Sequence, residues 1–184
     1  MGRLPQSPLE VRMAATLFLL LLGLANFFGA WQVRNFAAFT PSGVAATVGP
    51  QAGEPTAHHV HTAAAEVPID PADLNKTRHR IDRQLLVQDS HVHIPVYAIT
   101  AALLSAIVFG LRLSSRTRVV LVLLLFAAPV LDFAGLWGAH LAGAPLFWAS
   151  LAVAGGFAMG AAYLIVLVLV LSQCWFRRRE NSHA

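Results

Sequence analysis

Charge is scarce in this chain. Only 12% of its 184 residues are Asp, Glu, Lys or Arg, 57% are hydrophobic, and the mean hydropathy is +0.62. Charged residues make up roughly a quarter of a soluble domain, so the composition excludes a soluble fold and predicts a membrane protein. Cysteine is nearly absent as well. The lone Cys174 can form no internal disulfide and has no second thiolate with which to hold zinc or a cluster, which leaves packing at a helix end. There is no nucleophile elbow, phosphate loop, zinc-protease helix or pair of catalytic carboxylates, so a hydrolase, a kinase or any stand-alone enzyme is not expected. The formal charge of +4 and pI near 10.2 would suit a nucleic-acid partner. Most arginines, however, flank apolar segments, where they act as topology signals, and no nucleic-acid binding is expected.

What the chain does have is long apolar runs. A spanning helix needs about 20 such residues, and four stretches qualify, at 13–33, 94–111, 119–141 and 145–176. They predict an all-α, four-helix membrane bundle in which residues 1–184 form a single membrane domain. The first run could be a secretory signal, since Arg12 precedes it and Gly23-Leu24-Ala25 resembles a cleavage site. Its continuation through Asn26-Phe27-Phe28-Gly29-Ala30-Trp31, ending on an interfacial tryptophan, favours a retained span. Arg3 and Arg12, then Arg112, Arg116 and Arg118, then Arg177, Arg178 and Arg179 mark three basic sites, so the positive-inside rule puts both termini in the cytoplasm of a bacterial inner membrane. The loop at 34–93 is then external, its five basic residues balanced by six acidic ones.

Within that loop, residues 40–72 carry prolines and glycines without periodicity and read as an irregular arm. From Asp73, an N-cap candidate, Leu74, Ile81 and Leu85 with the stem of Arg78 share one helical face. This predicts a short amphipathic helix on the outer interface, or a docking site for a soluble partner.

Seven of the eight histidines lie in or beside the external face: His58, His59, His61, His79, His91, His93 and His140. Imidazole is the commonest ligand for transition metals and its ordinary pKa suits proton chemistry. On a helix His91 and His93 point about 200° apart, so one can face the bundle while the other faces the surface. His93 precedes Pro95 at the start of the second span, and His140 ends the third. Two antiparallel spans joined by a short link place His93 and His140 at similar depth, where they could supply axial nitrogens for haem b or ligands for copper or another metal, helped by His91. Alternatively, each ring meets water or a loop carbonyl. His59 and His61 alternate like a small metal-binding ribbon, or belong to a solvated loop.

Asp132 is the one acid well inside a span. A carboxylate there costs about 2.5 to 3.5 kcal/mol on insertion scales and should face the bundle interior. It is either a neutral acid hydrogen-bonded to a neighbouring span near Pro129, or part of a proton relay or propionate contact with Tyr97 or Tyr163 as intermediary. Gly156 and Gly160, one turn after Ala152, have the spacing of a close helix contact, within the bundle or between subunits. Trp31, Trp137, Trp148 and Trp175 fall near the predicted interfaces as anchors.

Three stretches, NFAAFTPSGVAATVGP, DSHVHIPVYAIT and FAAPVLDFAGLWG, together resemble a family of small, functionally uncharacterised four-span bacterial membrane proteins. That family carries an FxPSG-type stretch, a histidine pair before the second span and a P-x-x-x-D stretch in the third. The resemblance implies the four-span architecture and points to His91, His93 and Asp132, but it implies no reaction; the insertion at 51–72 departs from it. Two functions follow as expectations. One is a redox accessory protein that holds haem b or a metal near the external face and exchanges electrons with a larger respiratory or redox complex. The other is a cofactor-free subunit or assembly factor. A transporter is disfavoured because only one intramembrane acid is present and no pair of interrupted helices marks a central site.

Overall fold

The computed structural model describes residues 4–49, 81 and 83–176. Among the described residues, four helices are long and apolar enough to cross a membrane. They are α1 (Leu9–Ala37), α3 (Arg83–Gly110), α4 (Ser115–Leu141) and α5 (Pro145–Leu171), the last continuing as a π-helical turn (Ser172–Phe176). A short helix, α2 (Pro41–Val48), lies between the first two. No strand occurs among the described residues. The helices alternate in direction. One end of the bundle therefore gathers Arg12, Arg112, Arg116 and Arg118, and the other gathers α2, His91, His93 and His140. These are called the arginine end and the histidine end below.

Local chemistry explains the boundaries. Thr40 caps α2, its hydroxyl accepting from the Gly43 amide at 3.0 Å, and Ser114 caps α4 by accepting from Thr117 at 3.1 Å. Pro41 and Pro145 occupy first-turn positions, where a missing amide costs nothing. Serine hydroxyls inside the spans are satisfied on their own helix: Ser90 donates to the Leu86 carbonyl and Ser105 to that of Ala101, both at 2.7 Å. Back-bonding of this kind is how a hydroxyl avoids facing hydrocarbon unpaired.

The structure corrects three expectations. The segment after the first span is not wholly irregular, because residues 41–48 form α2 and bury Val44, Thr47 and Val48 against the bundle. Its proline caps the helix rather than breaking it, and Gly43 lets the helix start close against the Ala37 carbonyl. Second, α3 begins at Arg83 rather than near 94, so residues 83–90 are the first turns of the same continuous helix and not a separate interfacial helix. Leu86 is buried there, whereas Leu85 is half exposed. The earlier part of the predicted amphipathic helix lies outside the described residues, as do His58, His59, His61 and His79. Third, the close approach on α5 does not use Gly156 or Gly160. A Cβ at either would meet nothing within 4 Å, whereas one on Gly155 would come within 2.5 Å of the Asp132 amide nitrogen and 2.8 Å of the Ala128 carbonyl.

The α4–α5 seam is thus a backbone contact. Gly135 lies against the Ala152 backbone, Gly138 against the Trp148 ring and Gly155 against Asp132. Without a hydrophobic driving force between helices in lipid, small residues that admit close packing hold spans together. A larger buried cluster, including Leu19, Leu104, Val108, Leu125, Tyr163 and Val166, fills the arginine end, and a smaller one of Ala37, Val44, Ala139, Ala149 and Ala152 fills the histidine end.

Candidate functional site at the histidine end

Because α3 is already helical before the histidines, Asp89, His93 and Tyr97 repeat at four-residue spacing along one face. His93 Nδ1 lies 2.9 Å from Asp89 Oδ1 and 3.0 Å from the Asp89 carbonyl. The His93 and Tyr97 rings are 5.8 Å apart, and Tyr97 is 5.8 Å from Phe133 of α4. Asp132, half-buried beside Phe133, interacts electrostatically with Asp89, His93 and Tyr97. Its carboxylate makes no hydrogen bond among the described residues, so the expected bond to a neighbouring span is not made. A carboxylate-oriented imidazole, a phenol and an intramembrane acid are therefore gathered on the α3–α4 seam.

His91 points elsewhere. It is exposed and lines a shallow, mainly apolar groove of about 330 Å³ with Val87, Ser90, Ile94, Pro95 and Trp137. His140 Nδ1 is 2.9 Å from the Val48 carbonyl, which ties the end of α4 to the end of α2. Between these histidines the seam is closed. The Trp137 indole donates to the Ser90 hydroxyl at 2.9 Å, and Tyr97 meets Phe133 directly. This register sets His93 opposite residues 134–137 and His140 one to two turns further out, roughly 5 to 9 Å along the axis. A porphyrin between the two rings would have to part α3 from α4. No three His, Cys, Asp or Glu side chains converge on a common point among the described residues.

The sequence alone does not single out Asp89, although its four-residue spacing from His93 is legible there. Three of the tryptophans also do more than meet lipid: Trp137 bonds Ser90, Trp148 packs on Gly138, and Trp175 donates to Thr16 Oγ1 at 3.1 Å.

Residues 70–181, more than half of the chain, match the Aq_1264_TM family, described as a transmembrane helical domain. The chain belongs to this family. The matched region holds α3, α4 and α5 and all of the histidine-end seam, and leaves out α1 and α2. The multi-pass, four-span architecture implied by the sequence resemblance accords with it. No curated protein matches the chain, and no solved structure matches it.

Proposed function

We propose that this membrane protein is an accessory component of a redox complex and works through the histidine end of the α3–α4 seam. The observation that carries the reading is the row Asp89, His93, Tyr97 set against Asp132: an oriented imidazole beside an intramembrane acid is a device for handling charge at a membrane face. In its fuller form, His93 and His140, helped by His91, would hold haem b or a metal such as copper once α3 and α4 part to admit it, and the group would supply electron exchange with a larger complex. The Nδ1 atoms of His93 and His140 both rest on oxygen acceptors, which leaves each Nε2 for a ligand, the usual second-shell arrangement of ligating histidines. The closed Ser90–Trp137 seam favours a second reading, a cofactor-free subunit or assembly factor that grips its partner at this end. The arginine clustering supports an inner-membrane location with both termini in the cytoplasm.

The deciding experiment is the visible spectrum and metal content of the protein purified in mild detergent. A Soret band or bound metal that disappears in His93→Ala or His140→Ala supports the cofactor reading. A colourless, metal-free protein that copurifies with a larger complex removes that reading and leaves the second. Reporter fusions at both termini test the orientation.

A further inference from the structure

We propose that the arginine end of the bundle binds the phosphate of an acidic phospholipid headgroup. Arg12 is buried, with 5% of its surface exposed, yet among the described residues no carboxylate pairs with it. Its NH1 donates to the Cys174 carbonyl at 3.1 Å, the guanidinium lies 5.5 Å from the Trp175 ring centre, and its Nε meets no acceptor. Arg118 repeats the pattern on the other side, with NH2 donating to the Leu111 carbonyl at 3.4 Å and a buried Nε that again has no acceptor. The two groups flank one strip of backbone, because the Arg112 amide, next to Leu111, donates to Oε1 of Gln173, next to Cys174, at 2.8 Å.

Arg112 and Arg116 stand exposed beside this strip, and Glu10 is the one acid at this end among the described residues. None of these arginines is ion-paired among the described residues. A guanidinium held away from water without a counter-charge is costly, and its planar fork of donors matches phosphate oxygens. A lipid is favoured over a free anion because exposed apolar residues, Met13 and Leu17 after Arg12 and Val119 and Val120 after Arg118, lie on the membrane side of the arginines, where acyl chains would lie. Trp175 anchors the rim at headgroup level.

The test compares thermal unfolding of the full chain in neutral detergent with added phosphatidylglycerol, phosphatidylcholine or inorganic phosphate. Phosphatidylglycerol should raise the midpoint by about 5 °C at saturation, phosphatidylcholine and phosphate by much less. Native mass spectrometry should show the acidic lipid retained. Arg118→Gln should remove at least half of the shift while keeping the helical circular dichroism and the midpoint in phosphatidylcholine. Arg12→Gln should remove as much of the shift; if that variant fails to fold, Arg116→Gln combined with Arg118→Gln should remove most of it in its place. Equal shifts from both lipids, or a shift untouched in Arg118→Gln, would overturn the proposal. So would a full shift from inorganic phosphate alone, which would assign the site to a soluble anion.

Discussion

Two of the neighbours of helix α5 are held in opposite ways. Helix α5 meets α4 backbone to backbone at Gly135 and Gly155, and its Trp148 ring packs on Gly138. Helix α1 reaches it at a few polar points near the arginine end. Tyr163 donates to the Leu19 carbonyl at 2.5 Å, Arg12 donates to that of Cys174, and Trp175 donates to Thr16. Beyond Gly23, which accommodates the Tyr163 hydroxyl, α1 turns Phe27, Phe28 and Trp31 outward. Both arrangements answer the same condition. Lipid removes the hydrophobic gain from helix association, so a pair of spans must rely either on close packing of small residues or on hydrogen bonds. The family match coincides with the first arrangement, since it takes in α4 and α5 and leaves α1 out.

If the α4–α5 seam carries the fold, its disruption should be the most damaging change. Gly155→Leu drives a side chain into the Asp132 backbone and should cost about 3 kcal/mol, seen as a lower unfolding midpoint in detergent, with loss of the Trp137–Ser90 contact by indole fluorescence. A near-silent result would show that α4 and α5 do not approach this closely. Arg12→Ala should cost about 2 kcal/mol, since it removes a charge-assisted bond to a helix-terminal carbonyl. Its signature is selective. Hydrogen exchange should quicken in α1 while α4 and α5 keep their protection, and equal loosening of all three would erase the distinction. Tyr163→Phe removes one hydrogen bond to Leu19 and should cost about 1 kcal/mol, again confined to α1.

These differences show what could be read from the sequence. Hydropathy located the spans because each apolar run is long and isolated, but it could not show that α3 starts at Arg83. RQLLVQDS is polar, and a helix that emerges from the membrane leaves no hydropathy signal. The α2 helix was hidden because Pro41 and Gly43 read as breakers, while their use at a first turn and a close crossing depends on position. At the candidate site, angular arithmetic separates His91 from His93, and the four-residue step from Asp89 to His93 was equally available. What faces them from α4 depends on register, which no spacing within one helix specifies: Ser90 meeting Trp137 is set by packing between helices.

The smallest predicted effect is the sharpest test of the comparison. Gly156 and Gly160 have the spacing associated with helix pairs, yet α5 is apolar all round, so sequence alone cannot say which of its faces meets a neighbour. Gly155, one residue away, points about 100° round the helix from Gly156 and takes the contact instead. Gly156→Leu and Gly160→Leu should each change stability by no more than about 0.5 kcal/mol, while Gly155→Leu is severe. Unfolding of the three variants under identical detergent conditions checks this directly. Equal damage at Gly155 and Gly156 would mean that α5 is rotated from the orientation described and that Gly156 faces α4 or α1. Intact stability at Gly156 and Gly160 would show that the G-x-x-x-G spacing is not what holds this bundle together, and would leave Gly155, with Gly135 and Gly138 opposite, to set how closely α4 and α5 can lie.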